Sequence, residues 1–599
     1  MSAYTIFGGG PSGLYTAWRL LTSGKITASD SLEIIEWGDY DYEGNGLSGT
    51  RMPAGRICSH HYKGEIDKSY IEVGGMRYID WDTVKKEGHQ LVTTTINLLG
   101  LDGKRIEFNT TDNPLLFLRG QQTYQQSINA ANPVPYNTTI NVTLENGTVV
   151  PANAAAADVL IGNISNAIIG EGVTSRVQQC QFYATGTLPS GFQSNVYNVG
   201  DLASNVGYWN ILYDQAYNEG YQYASDANGY SSNVINWNAA NAAVYNGEFA
   251  PGGTFKTLST GFSSIFVTMY QACVSYASAN GLDFTMTKNA RLHSIWDQDG
   301  TTQYYTALAS SPDQPAGSVQ GTDYAFLAMP PQAIKIVAQA TRYLTPSTGR
   351  NNFLNHNNVA NYVESVIEQP SYKIAMFFDR PWWKDPGMPF PLNVDSATNT
   401  YGPTITDLPI RQIYYFGDNA IGPQAQPVYG ILASYDDMRF SKFWEEMEWS
   451  VTEQHQSPPS EDLQPLEGAQ PATPAMTNML RLELARVHYG NDTTDINLIP
   501  EPLETAFMDW GHNPFGAGYH AWASHYNICN VMQDIRTPAR LAGLANSNVF
   551  ICGSAFSNDQ AWIEGAFCTA ESILTEYLGV TSIATDAAEY PLICASCDI

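Results

Sequence analysis

The sequence predicts an α/β fold with a Rossmann-like core assembled from both ends of the chain. Three observations carry that reading. An apolar strand over residues 4–7 runs into Gly8-Gly9-Gly10-Pro11-Ser12-Gly13. A one-face helical pattern of Leu14, Ala17, Trp18 and Leu21 follows and stops at Gly24, and a second strand over 32–35 ends in Glu36. Far downstream, a strand over 548–552 breaks at Gly553. A second helix then starts at Trp562, with Ala570, Ile573, Leu574 and Tyr577 on one face and Gly579 as its stop.

Each part of the opening motif has a physical job. Gly8 permits a tight turn, Gly10 lets backbone N–H groups approach a pyrophosphate, Gly13 lets helix pack on strand, and Glu36 is positioned for a ribose hydroxyl. Phosphates then sit at a helix N-terminus, where unpaired N–H groups and the dipole favour anions. A lone GxGxxG is weak, because glycine-rich turns are common. Here strand, helix and distal acid agree, so a dinucleotide site is favoured over a plain strand–turn–helix.

Composition excludes several function classes. The chain has 599 residues, room for several domains or one interwoven architecture, and 43% hydrophobic residues, enough for a sizeable core. Net charge is −29 with no basic run, which argues against nucleic acid and anionic membranes as partners. No apolar run reaches transmembrane length and no signal-peptide pattern opens the chain, so the expectation is a soluble protein, cytoplasmic by default. Sequons at Asn109, Asn137, Asn141, Asn146 and Asn163 read as turn and strand-edge composition. Eight scattered cysteines make no disulfide framework, and Cys594-x-x-Cys597 reads as an incidental tail pair. His60-His61 and the pair His520 and His525 lack ligand spacing, so no metal is expected.

Between the two ends, a Gly/Asp/Tyr-rich loop after Glu36 leads to Arg51-Met52-Pro53-Ala54-Gly55-Arg56 and then to Gly74-Gly75-Met76-Arg77. Such clusters offer close backbone approach plus fixed positive charge, suited to a cofactor's phosphates and an anionic substrate. Ordinary surface ion pairs are the bland alternative. Residues from about 110 to 250, rich in Asn, Ala, Tyr, Ser and Gly, look like a partly helical insertion. A helix is expected over 262–279, with Cys273 in its core face, then a hairpin of 285–295 and 301–308 around a turn at 297–300. Further strands are expected over 324–329, 371–378, 411–416 and 430–435, and a loop over about 455–475. The strand at 371–378 carries Lys373, which on residue type alone is more simply a snorkelling side chain than a functional one.

Taken in order, these blocks resemble the flavin-dependent L-amino-acid oxidases of the amine-oxidase superfamily. The blocks are 8–13 with Glu36, Gly55-Arg56, Gly74-Gly75-Met76-Arg77, Ala290-Arg291-Leu292, the Lys373 strand, 406–415, 510–518 and 553–566. The resemblance implies non-covalent FAD, with its pyrophosphate on Gly8, Gly10, Pro11, Ser12 and Gly13, its ribose on Glu36 and its adenine near Leu292. Gly55, Arg56, Gly75, Met76, Ile563 and Ala566 would line the flavin end, and Trp510 would pack against it. Arg77 would grip the substrate carboxylate, aided by Tyr415 (Tyr414 if the register shifts by one). Trp562 would wall the amino group, Lys373 would reach flavin N5 through a water, and Gly518 would leave room for large side chains. Ser554 stands where the family usually has an acid after Gly553, a departure from the family's pattern at that contact to the cofactor.

The resemblance also implies the domain plan and the chemistry. A discontinuous FAD-binding domain would comprise 1–80, 257–330 and 530–585, and a mixed-sheet substrate-binding domain 81–110 and 331–529. A mainly helical insertion would span 111–256 and a tail 586–599. The expected reaction is hydride transfer from Cα to flavin N5, giving a 2-oxo acid, ammonia and, with O2, hydrogen peroxide. The partners would be a broad range of L-amino acids with large apolar side chains and O2, in a homodimer or higher oligomer. Hydride loss from a neutral amine needs no strong protein base, in keeping with the absence of a convincing one in the sequence. Rival readings are an amine oxidase, an amino-acid 2-monooxygenase, a non-catalytic flavin-binding protein and an NAD-dependent dehydrogenase. Arg77 with Tyr415 argues against the first, and the distant C-terminal strand–helix weakens the last.

Overall fold

The structure is a computed structural model that describes all residues except 41–53, 171, 247–253, 345–348, 393–401, 453–467 and 595–599. The Gly/Asp/Tyr-rich loop, Arg51 and most of the expected 455–475 loop therefore lie outside the described residues. Five parallel strands form the nucleotide sheet, in the order Asp283–Thr287, Ser31–Ile35, Ala3–Phe7, Tyr324–Leu327 and Val549–Ile551. Ala3–Phe7 is buried almost throughout, as parallel strands covered on both faces are.

Both expected terminal helices form, as Pro11–Thr22 and Ile563–Leu578, and they pack against each other. Tyr15 stacks on Phe567 with ring centroids 4.3 Å apart. One turn on, the Arg19 guanidinium forks onto the Glu571 carboxylate at 3.0 and 3.1 Å, both side chains buried. The helix Ser264–Asn280 packs beside Pro11–Thr22, with Cys273 fully buried as expected.

The stretch 285–295 differs from expectation. Instead of one hairpin arm it is two elements. Asp283–Thr287 completes the nucleotide sheet, and Ala290–Gln298 pairs antiparallel with Thr301–Leu308. The break falls at Asn289, whose φ of 58° is a conformation asparagine tolerates better than most residues.

A second, eight-stranded sheet runs Gln470–Pro471, Glu504–Asp509, Ser371–Phe378, Tyr429–Asp437, Gln412–Gly417, Thr404–Thr406, Leu115–Leu118 and Gln121–Tyr124. Ser371–Phe378 sits inside it, antiparallel to both neighbours and buried along its whole length. One face packs on a separate core built around Trp382, Trp383, Trp444 and the helix Pro474–Tyr489. The inserted stretch therefore gives two strands to this sheet before its helices Ala157–Ile169, Arg176–Thr185, Tyr208–Asn228 and Ala239–Tyr245 begin.

Cys594 is not an incidental tail residue. It is disulfide-bonded to Cys180, 414 positions away, with Cα atoms 5.0 Å apart. Sequence spacing is blind to this pairing because the tail is brought over by other contacts. Arg176 donates to the Pro591 carbonyl at 2.8 Å, and the Cys594 N–H donates to Asn558 Oδ1 at 3.3 Å. Cys597 lies outside the described residues. Among the described residues, no helix is long and apolar enough to cross a membrane.

Candidate functional site

Two adjoining cavities lie between the sheets and share Arg56, Gly75, Gly518, Trp562 and Ile563 in their walls. The first begins at the opening motif, where Gly8, Gly10, Pro11, Ser12 and Glu36 line it. Gly8 has φ 111°, and a Cβ there would stand 2.4 Å from the Ala328 carbonyl oxygen. Gly13 lines neither cavity. A Cβ on it would sit 1.9 Å from the Gly8 oxygen, so its absence lets the helix seat on the strand. Pro11 occupies the first helical turn and no side chain caps the helix, leaving its first-turn amides to the cavity. Glu36 is buried and accepts N–H bonds from Gly9 at 2.5 Å and Gly38 at 2.7 Å. Burial raises its pKa while those amides pull it down.

Leu292 lines the same cavity, and Gly55, Arg56, Gly75, Gly553, Ser554, Ile563 and Ala566 continue its wall. Arg56 donates to the carbonyls of Ala517 and Gly518 at 3.2 and 3.0 Å, and burial lowers its pKa to about 10. This is a long, glycine-floored groove with an uncapped helix end and an acid near it, and these features fit an extended dinucleotide such as FAD.

The second cavity collects Met76, Arg77, Lys373 and Trp510 with Tyr230 and Tyr435. The buried Arg77 guanidinium lies over the Phe255 ring at 4.1 Å and the Phe108 ring at 5.2 Å. Its Nη1 has no hydrogen-bond partner among the described residues. Leaving a buried charged donor unpaired is costly, so an anion fits here. Lys373 Nζ donates to the Gly74 carbonyl at 2.5 Å and lies 4.2 Å from the Tyr435 ring centroid. Burial pushes its pKa down to about 7. Glu72, held by Ser59 Oγ at 2.9 Å and the Phe262 N–H at 2.7 Å, is pushed up to about 8, again by burial. Trp510 is fixed by its Nε1–H on the Val73 carbonyl at 2.8 Å. Trp562 heads the last helix, edge-on to His89 at 4.7 Å and stacked with Phe255 at 6.2 Å.

One expectation is corrected. Tyr415 does not accompany Arg77. Its hydroxyl lies 3.1 Å from both Thr404 Oγ1 and His488 Nε2, inside the separate core on the other face of the sheet. Side chains alternate along a strand, so the tyrosine on the Arg77 side is Tyr414, whose ring centroid is 5.9 Å from the guanidinium. Gly518 lines both cavities, as expected. A Cβ there would meet Ser371 Cβ at 2.6 Å, so a larger residue would crowd the strand residue Ser371, which also lines the second cavity.

Sequence reasoning missed the tyrosines that share the Arg77 cavity. Tyr230, Tyr245 and Asn233 come from the inserted stretch and Tyr435 from the large sheet. In a segment rich in Asn and Tyr, no spacing marks those that face a cavity.

No protein-family model matches the chain. It is 22% identical over 593 residues to aplysianin-A of Aplysia kurodai, covering 96% of this chain and 89% of that one. L-amino-acid oxidase 4 of Hebeloma cylindrosporum is 27% identical over 225 residues, which span 37% of this chain and 31% of that one. Among solved structures, a double mutant of putrescine oxidase superposes with TM-score 0.57 at 12% identity, covering 96% of this chain and 99% of that one. Wild-type putrescine oxidase bound to putrescine gives 0.56 at 13% identity over the same shares.

Proposed function

We propose, for a chain with the flavin amine oxidase fold, the FAD-dependent oxidation of L-amino acids to 2-oxo acid, ammonia and hydrogen peroxide. The observation that carries this reading is Arg77, a buried guanidinium stacked on aromatic rings with Nη1 unpaired at the second cavity. An amino acid's carboxylate satisfies that donor and a simple amine does not.

FAD, held non-covalently along the first cavity, would supply two-electron acceptance from the substrate and pass the electrons to O2. Gly8, Gly10, Pro11, Ser12 and the first-turn amides would hold its pyrophosphate, Glu36 its ribose and Leu292 its adenine. Gly55, Arg56, Gly75, Met76, Ile563 and Ala566 would border its ring end, and Ser554 its ribityl or phosphate groups. In place of the family's acid, Ser554 brings a hydroxyl. The protein's own work is orientation. Arg77 grips the carboxylate, and Trp562 and Tyr435 wall the space above it, which fixes where Cα lies. Lys373, largely neutral above pH 7, would hold a water for hydrolysis of the imine without placing a second positive charge beside Arg77. The reaction balances as amino acid, O2 and water giving 2-oxo acid, ammonia and peroxide.

The aromatic lining of the second cavity supports large apolar side chains. The division into cofactor regions 1–80, 257–330 and 530–585, substrate regions 81–110 and 331–529, insertion 111–256 and tail 586–599 belongs to the same proposal, as does a homodimer or larger assembly. An amino-acid 2-monooxygenase shares the carboxylate anchor, so product identity separates the two. The test is an aerobic peroxide assay on the flavin-loaded chain with L-phenylalanine, D-phenylalanine and phenethylamine. Peroxide and phenylpyruvate from the L-form alone are expected. Amine turnover or an amide product overturns the assignment.

A further inference from the structure

A separate cluster lies just beyond the Trp510 wall. Asp509 closes the strand Glu504–Asp509, His512 follows three residues on, and Glu448 comes from the segment after the helix Ser441–Glu445. Their ligand-type atoms all lie within 4.8 Å of one another. His512 Nε2 is 3.3 Å from Asp509 Oδ2 and 3.8 Å from Glu448 Oε2. Charge-assisted hydrogen bonds close to about 2.7–2.9 Å. Two ligands on a tetrahedral ion with bonds of about 2.0–2.1 Å stand roughly 3.3 Å apart. The observed gaps match the second spacing better than the first.

The surroundings look built. Tyr372 donates its hydroxyl to Glu448 Oε1 at 3.0 Å, and the Gly511 N–H donates to Asp509 Oδ1 at 2.6 Å, so both carboxylates are already oriented from behind. Tyr372 is in register with Asp509 on one side and Asp436 on the other, which puts all three on one face of the sheet. Asp436 is 1% exposed and its Oδ1 has no hydrogen-bond partner among the described residues. Asp509 and Asp436 repel each other across this face, only partly offset by the Arg411 guanidinium that acts on Asp436, and a dication offsets the rest. The Asp509 and Glu448 side chains are 3% and 7% exposed, whereas the His512 side chain is 36% exposed and gives an ion a way in.

We propose that Glu448, Asp509 and His512 hold one divalent transition-metal ion, Zn2+ by preference, with water in its fourth position and Asp436 close behind. One imidazole and two carboxylates suit a borderline cation better than Ca2+ or Mg2+, which take oxygen ligands alone. Because Trp510 lies between two of the ligating positions, the ion would stiffen that wall of the second cavity.

The test is calorimetric titration of the flavin-loaded, chelator-treated chain with Zn2+, compared with Mg2+ and repeated on His512→Gln and Asp509→Asn. Melting temperature is followed in parallel. One Zn2+ per chain is expected, with a rise in melting temperature and binding at least tenfold weaker in each variant. Should Asp509→Asn fail to fold, His512→Gln at the exposed position carries the comparison alone. Absence of Zn2+ binding, binding unchanged in His512→Gln, or an equal response to Mg2+ overturns the proposal and leaves a buried ion-pair cluster.

Discussion

At the scale of single residues, the site turns on two buried basic side chains that differ in what surrounds them. Arg77 has aromatic rings on its faces and an unpaired Nη1, so its role depends on the planar fork and not on charge alone. Arg77→Lys should therefore lose most of what Arg77→Ala loses, about 2–4 kcal/mol or roughly 30- to 1000-fold in kcat/KM for L-phenylalanine. Steady-state kinetics with FAD content held equal checks this. Lys373 and Glu72 make a coupled pair whose titrations have opposite signs. Glu72 keeps its proton up to about pH 8 in the fold, so between its ordinary value near 4.5 and 8 the folded chain binds more protons and stability falls as pH rises. Lys373 loses its proton near pH 7 in the fold. Between 7 and its ordinary 10.5 the unfolded chain binds more protons, and stability rises with pH. The expectation is a stability minimum near pH 7–8 in denaturant titrations of the flavin-loaded chain. Glu72→Gln should remove the falling limb and Lys373→Met the rising one.

At the scale of elements, the strand–glycine–helix unit at each end of the chain is where local sequence and tertiary packing agree most closely. Gly13 meets the Gly8 carbonyl so closely that any Cβ must push the helix off the strand. Gly13→Ala should destabilise the chain by about 1–3 kcal/mol and reduce bound flavin, read from visible absorbance per chain. Gly24→Ala is the control. Gly24 also has a positive φ, at 76°, but a Cβ there meets nothing within 4 Å, so that variant should keep its flavin. The two helices are pinned by Arg19 on Glu571, and Glu571→Ala should cost about 3–5 kcal/mol because it strands a buried guanidinium. Replacing both by apolar residues, Arg19→Met with Glu571→Leu, should recover most of that in thermal melts. These elements were legible in the sequence because turn chemistry and one-face periodicity are local. The Lys373 strand was legible for the same reason, and 371–378 is the observed span. What was not legible depends on a single residue's phase. One step of strand register separates Tyr414 from Tyr415, and periodicity alone does not choose the face. Nor did spacing bring Tyr230 and Tyr245 to the cavity, or Glu448 to His512, since each meeting is made by the fold.

At the scale of the whole molecule, the chain closes on itself through its tail. Tyr590 donates to Glu564 Oε1 at 2.6 Å, and the same carboxylate accepts the Leu91 and Val92 N–H groups at 2.9 and 2.8 Å. Arg176 forks onto Asp559 at 2.6 and 2.5 Å, one turn before the helix whose first residues line both cavities. The Cys180–Cys594 bond locks this arrangement by tying the inserted helix Arg176–Thr185 to the tail. A cross-link of such long sequence separation restricts the unfolded chain strongly, so Cys594→Ser should lower stability by about 2–5 kcal/mol. The buried Arg176–Asp559 pair is independent of the sulfurs, so the variant should still fold and bind flavin, and its melting temperature should no longer respond to dithiothreitol. A wild-type melting temperature equally indifferent to dithiothreitol would mean the two thiols are not joined. The bond also bears on where the chain works. Disulfides persist in oxidising compartments and are rare in a reducing cytosol, which runs against the expectation of a cytoplasmic protein. Alkylation of free thiols in freshly lysed cells, followed by peptide mass spectrometry of Cys180 and Cys594, distinguishes the two. An unlabelled, linked pair is the result this packing leads us to expect.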